Sequence, residues 1–281
     1  MTIQWFPGHM TRAKREMQEK LTMVDMVIEC RDARLPISSE NPMVNELTQS
    51  KPKLIVLTKK DISDEKQVSL WMDVLKNDHT HVIVLDLIHD DTRNRVVEAC
   101  LKLMEPKFQR WLAKGIQPRK IKAMVVGIPN VGKSTLINQL AKKKLMVTAD
   151  RPGVTMSLKW ANVHPKLDVL DTPGVLWPKF DDPEVGKRLA WAGSIAEKVL
   201  PSEDLALEAF QYLEHYYPQL LNTHYELQFQ SFEDFIVQLA KKRHLVKGDE
   251  YRTLDTIQLF LNDLKHGLIG PICFEQVKYV A

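Results

Sequence analysis

The sequence predicts an α/β domain built on a parallel sheet, followed by a smaller, all-helical domain. Three observations carry this. Short runs rich in Val, Ile and Leu alternate with helical stretches from Met23 to Gly174, as they do where helices cover both faces of a parallel sheet. Four loops of suggestive chemistry each follow directly on one of these runs: Asp32-Ala33-Arg34, Thr58-Lys59-Lys60-Asp61, Gly127 to Ser134, and Asp171-Thr172-Pro173-Gly174. Open parallel sheets bind ligands outside the carboxyl ends of their strands, so the four loops are expected on one rim. After Val175 to Pro183, where two prolines and two aspartates interrupt helix and strand alike, only helical periodicity remains.

The expected strands are Met26 to Glu29, Lys53 to Leu57, His81 to Leu85, Ala123 to Val126, Ser157 to Val163 and Leu167 to Leu170. Ser63-Asp64-Glu65 has the cap and acidic first turn of a helix start, and Leu70, Trp71, Val74 and Leu75 supply its apolar stripe. In the second domain, Ser202-Glu203-Asp204 opens a helix with Leu205, Ala209, Leu213 and Tyr216 in register. Ser231-Phe232-Glu233-Asp234 opens another with Phe235, Ile236, Leu239 and Ala240, and a third runs from Thr253 to Lys265. The domains are expected at 1–178 and 184–281.

At 281 residues with 44% apolar content, the chain can fill two such cores. No apolar run approaches the roughly 18 residues that span a bilayer, and the N-terminus lacks a basic segment followed by an apolar core. A cytoplasmic location without membrane association is the expectation. Cys30, Cys100 and Cys273 are scattered and odd in number, suggesting buried thiols rather than disulfides or zinc. The net charge is only +3, but the cations cluster: Arg12, Lys14, Arg15 and Lys20; Lys107, Arg110, Lys114, Arg119, Lys120 and Lys122; Lys142 to Lys144; and Lys241-Lys242-Arg243-His244. Each alone reads as a solvated helix face; together they leave a phosphate-rich partner open.

Gly127-Ile128-Pro129-Asn130-Val131-Gly132-Lys133-Ser134 is a phosphate loop. Its glycines let backbone amides turn inward, Lys133 reaches the outer phosphates, and the Ser134 hydroxyl suits Mg²⁺. Asn130, Val131, Gly132, Lys133, Ser134 and Thr135 are the expected phosphate contacts. Asp171 supplies a carboxylate for Mg²⁺ and Gly174 an amide for a terminal phosphate. Thr155, in the Gly- and Pro-containing loop Arg151 to Thr155, is a further candidate for the Mg²⁺ shell. Thr58, Lys59 and Asp61 are the base readers. A carboxylate at Asp61 accepts from the ring N–H and exocyclic amine of guanine, whereas adenine offers no donors there, so GTP and GDP are the expected ligands. Asp86 to His89 is the candidate companion loop. The usual Asn of the reader is Thr58 here, and weaker bracing is expected of it.

The guanine reader precedes the phosphate loop, the reverse of a Ras-like GTPase, so the fold expected is a circularly permuted Ras-like P-loop GTPase domain. Where Ras-like enzymes carry a water-orienting Gln after the Asp-x-x-Gly turn, this chain has Val175. Its catalytic group must come from elsewhere. His9, in Phe6-Pro7-Gly8-His9-Met10, is the candidate, because a neutral imidazole can orient or deprotonate water near neutral pH.

With Trp5 to Met10, Asp32-Ala33-Arg34, the permuted motifs and Leu176-Trp177-Pro178-Lys179-Phe180, the chain resembles the ribosome biogenesis GTPase A family end to end. These are circularly permuted bacterial GTPases of large-subunit assembly. The resemblance implies a catalytic role for His9, a potassium site at Asn130, and rRNA binding by 184–281 with Lys241, Lys242 and Arg243 foremost. It also implies a GTP-dependent assembly factor that docks on a large ribosomal subunit precursor, through rRNA and ribosomal proteins, and leaves after hydrolysis. A monomer is expected in the free state. The alternatives are a tRNA-modification or translation-type GTPase, a small-molecule phosphotransferase and a nucleotide-gated scaffold without turnover.

Overall fold

The computed structural model describes residues 7–146, 158–177, 180, 182–195, 201–247 and 250–277. The chain forms two compact units, Met1–Asp181 with Cys273–Ala281, and Asp182–Ile272. The C-terminal boundary therefore differs from the expected 184–281. Residues 273–277 leave the helical unit and return to the first, through contacts with residues 34–38, 67 and 71 that lie more than 200 positions earlier.

The first unit is a six-stranded sheet of β1 (Met26–Asp32), β2 (Lys53–Thr58), β3 (Thr80–Val84), β4 (Ile121–Val126), β5 (Lys159–His164) and β6 (Leu167–Asp171). Their order is β3-β2-β1-β4-β6-β5, parallel except for the β5–β6 pair. The unbroken apolar runs of β2 and β4 are buried on both faces, which is why they show no alternation. Register sets the rim: Asp32 lies opposite Thr58, and Asp171 opposite Val125.

Around the sheet lie α1 (Pro7–Leu21), α2 (Pro42–Thr48), α3 (Glu65–Leu75), α4 (Thr92–Leu112) and α5 (Lys133–Ala141). Asp64 caps α3 by accepting from the Lys66 and Gln67 amides at 2.9 and 3.2 Å. Its stripe differs from expectation: Val68, Met72 and Leu75 pack against Ile55 and Leu57, while Val74 is exposed. The spacing i, i+4, i+7 selects that face, and Trp71 turns to donate to the Glu275 carbonyl instead.

The second unit contains α6 (Pro183–Trp191), α7 (Ser202–Tyr216), α8 (Leu220–Tyr225), α9 (Phe232–Lys242), a hairpin of β7 (Val246–Lys247) and β8 (Glu250–Tyr251), and α10 (Thr253–Lys265). Phe235, Ile236, Leu239 and Ala240 are all buried, with Phe235 edge-on to Phe260. Tyr216, however, is exposed. Asp182 and Pro183, which read as linker, form the cap and first position of α6, the Asp182 side chain accepting from the Glu184 amide at 2.9 Å.

Candidate nucleotide site

The phosphate loop joins β4 to α5. Gly127 has φ +149°, and a Cβ there would lie 2.5 Å from the Cys30 carbonyl. Gly132, at φ +87°, faces Leu87 so closely that a Cβ would sit 3.0 Å from its Cδ1. Asn130 takes the left-handed conformation at φ 61°, which Asn tolerates better than most residues. The first α-helical bond of α5 runs from Leu136 to Gly132. The amides of Lys133, Ser134 and Thr135 are thereby left for an anion at the helix N-terminus.

Lys133 is buried and its Nζ donates to the Ile128 carbonyl at 2.7 Å. Burial pulls its ammonium down to about 8, opposed by the negative charge of Asp171. Asp171 is itself buried, and neither carboxylate oxygen has a hydrogen-bond partner of standard geometry. Burial pushes it up to about 6, although Lys133 and the Thr172 amide favour its anion. Gly174 completes the cluster: a Cβ there would meet Lys133 Nζ at 2.8 Å and the Pro129 backbone at 3.1 Å. These groups form a charged cluster whose carboxylate oxygens have no standard hydrogen-bond partner, a donor set that suits a hard cation beside a polyphosphate.

Val175 is a core residue. It is 7% exposed and packs with Met17, Val24, Val27, Val44, Met124, Val126 and Leu170, while its carbonyl accepts from Asn41 Nδ2 at 2.7 Å. Asn41 also caps α2, taking the Met43 amide at 3.0 Å. The Asn-Pro pair signals such a cap in the sequence, but its tie to Val175 does not. Because Met17 belongs to α1, that helix and the turn after Gly174 share one core.

At the base side, the Thr58 hydroxyl lies 3.1 Å from the Arg31 carbonyl and 2.9 Å from that of Val131. It links the reader to the phosphate loop, but one hydroxyl proton must serve two acceptors where an amide would offer two. Lys59 adopts φ 58° and its Nζ pairs with Asp32 at 2.9 Å. Asp61 is exposed in a 3₁₀ turn, Lys60–Ile62. In the companion loop, Asp86 accepts from the amides of Ile88 and His89 at 2.8 and 3.2 Å and from His89 Nδ1 at 2.5 Å, which raises the exposed imidazole's pKa. Leu87 packs toward Gly132, so base and phosphate loops touch.

Two expected residues lie outside this description. Thr155 is outside the described residues, and so is the side chain of His9, whose backbone lies in the first turn of α1. The basic clusters carry less free charge than their counts suggest. Lys107 and Arg119 both pair with Asp25, Lys120 with Asp168, and Arg12 and Arg15 with Glu16 and Glu19. Lys242 donates to the Tyr225 carbonyl and pairs with Glu226, both at 2.7 Å. Lys241 instead stands over the ring of half-exposed Tyr251 at 5.6 Å, and Arg243 is exposed. No helix among the described residues is long and apolar enough to cross a membrane.

Comparison with known proteins bears on this geometry. Residues 122–247 match a family described as 50S ribosome-binding GTPase. A Bacillus cereus protein named ribosome biogenesis GTPase A is 44% identical over 280 residues, covering 98% of this chain and 94% of that one. A Mycoplasma genitalium protein named probable ribosome biogenesis GTPase A is 32% identical over 97% of this chain and 96% of its own. A solved structure of GDP-bound YlqF from Thermotoga maritima superposes with a TM-score of 0.67 at 25% identity, over 94% of this chain and 99% of that chain.

Proposed function

Because the chain belongs to the ribosome biogenesis GTPase A family, we propose that its GTP hydrolysis times a visit to an immature large ribosomal subunit in the cytoplasm. The protein docks as a GTP-bound monomer and leaves once the third phosphate is gone. Guanine-nucleotide binding and GTP hydrolysis come with the family. The observation that carries the docking cycle is the buried, unpartnered Asp171 beside Lys133 and Gly174, at the start of the segment that leads out of the first unit.

On this reading Lys133 leaves the Ile128 carbonyl for the outer phosphates, joined by the amides of Asn130 to Thr135. The Gly174 amide meets the third phosphate, and its loss on hydrolysis releases the turn. Asp171, Ser134 and Thr155 would hold a magnesium ion, whose positive charge offsets the charge of the phosphates when bound; the unpartnered Asp171 oxygens fit that role. Asn130 is the proposed residue for a potassium ion. Lys59 lies along the base plane and Asp61 takes its two donors.

Val175 is packed in the core and cannot orient water. His9 is the proposed catalytic residue, and its helix α1 shares the Val175 core through Met17. RNA contact is assigned to the second unit at Lys241 and Arg243. Lys242 is a weaker candidate than its neighbours, because its ammonium already serves Tyr225 and Glu226.

Sedimentation with isolated subunits tests the cycle: co-migration is expected with a GTP analogue and not with GDP. Equal co-migration in both would end the proposal. His9→Ala should lower subunit-stimulated turnover by roughly 10²- to 10⁴-fold with binding intact. Normal turnover would remove His9 from the mechanism.

A further inference from the structure

The segment Cys273–Val277 is tied to the first unit by backbone and side-chain bonds to residues 34–38, 67 and 71. The Phe274 amide donates to the Arg34 carbonyl at 2.8 Å, and the Arg34 guanidinium stands 5.7 Å from the centre of the Phe274 ring. Arg34 grips Asp32 with two parallel bonds, Nε to Oδ1 at 3.1 Å and Nη2 to Oδ2 at 2.9 Å. Asp32 Oδ2 then holds Lys59 Nζ at 2.9 Å. Beside this line, the Glu275 carboxylate accepts from the Ile37 and Ser38 amides at 2.7 and 2.8 Å and from the Ser38 hydroxyl. Asp32, Arg34, Phe274 and Glu275 are all buried.

From these contacts we infer that Phe274 and Glu275 are positioning residues of the guanine site, Phe274 acting through Arg34 and Asp32 on Lys59, and Glu275 by pinning the tail to the Ile37–Ser38 backbone that follows Arg34. The inference rests on the reading of Lys59 and Asp61 as base contacts. Its physical basis is conformational. Lys59 is a non-glycine residue in the left-handed region with a long, rotamer-rich side chain whose freedom is lost when a base lies along its stem. Anchoring its ammonium at Asp32 removes that freedom beforehand. Asp32 can serve as anchor only while Arg34 fixes both its oxygens, and Arg34's backbone carbonyl is tied to Phe274. A segment far from every nucleotide motif in sequence thus stiffens the base half of the site, and leaves the phosphate half untouched.

The experiment compares two probes on the full chain, GDP and inorganic tripolyphosphate, which lacks a base. Glu275→Gln and Phe274→Leu should each weaken GDP binding by roughly three- to tenfold, the value of one net hydrogen bond at Glu275 and of one cation–ring contact at Phe274, with tripolyphosphate affinity unchanged. Equal weakening of both ligands, or unchanged GDP affinity in variants that melt like wild type, overturns the inference. A second measurement needs no variant, because coupling is reciprocal. GDP should slow hydrogen exchange at the Phe274 amide of the wild-type chain, and tripolyphosphate should not; equal protection by both also overturns it. Asp61→Asn separates this inference from the reading beneath it. If that variant keeps full GDP affinity and gains none for xanthosine diphosphate, the base contacts themselves are misassigned. If it switches preference while the two tail variants bind GDP normally, only the tail's role is lost.

Discussion

Asp32 and Asp171 are both buried carboxylates at the ends of neighbouring parts of one sheet, and their surroundings are opposite. Burial alone would raise the Asp32 pKa, but Arg34 and Lys59 outweigh it and hold the group far below the usual carboxylate range. At Asp171 burial outweighs the charges of Lys133 and Lys159 and the Thr172 amide, and pushes the group up to about 6, with neither oxygen hydrogen-bonded in standard geometry. The proposed base half of the site is internally complete. The phosphate half holds a carboxylate whose neighbours do not offset its burial, and the fold bears that cost in the absence of a ligand.

The sharpest way to break this comparison is to remove each carboxylate in the nucleotide-free protein. Asp32→Ala leaves the Arg34 charge buried without its main partner, and should lower unfolding free energy in denaturant titrations by about 3–5 kcal/mol. Asp171→Asn should do the reverse. Relieving the ionised carboxylate at neutral pH is worth about 3 kcal/mol, and the buried amide put in its place still costs about 2 kcal/mol. A rise of about 1 kcal/mol in unfolding free energy is expected, while hydrolysis falls by roughly 10²- to 10³-fold. A lowered melting temperature in Asp171→Asn would mean that the two halves are built alike.

The sign also appears in pH. The Asp171 pKa is raised on folding, so in the metal-free protein its contribution is fully present below about pH 4 and is lost as pH rises through about 6. The stability difference between wild type and Asp171→Asn should therefore open between those values. Asp32, whose pKa is depressed, contributes stability above about pH 4 that is lost only as pH falls well into the acid range.

Val175→Gln sharpens the same contrast. Restoring the Ras-like residue places an amide in an apolar cluster, so unfolding free energy should drop by about 1–3 kcal/mol with no gain in hydrolysis. Faster turnover in this variant would show that the valine side chain can leave the core. The smallest expected effect is at Thr58. Thr58→Asn supplies two N–H donors for the Arg31 and Val131 carbonyls and should tighten nucleotide binding by under tenfold in calorimetry.

The sheet, the phosphate loop and the four-loop rim were legible in the chain itself. Each rests on local chemistry: apolar runs buried on both faces, glycines at positions where a Cβ would collide, and loops that follow strands. Helix caps were equally readable where the cap and its amides lie within three residues, as at Asp64 and Ser231. Asp182 was misread as linker because Asp-Pro marks a helix start as readily as a break. What only the tertiary structure decided is how distant groups share charge. That Lys107 and Arg119 are spent on Asp25, that Lys242 serves Tyr225, and that Asn41 holds Val175 depends on pairs 17 to 134 residues apart. Periodicity carries no information about such pairs. The return of Phe274 and Glu275 to Arg34 and Ser38 spans still more chain, and it follows from burial geometry that no local window contains. Side-chain identity determined which groups could hold a phosphate; the packing of remote segments determined which of them were already taken.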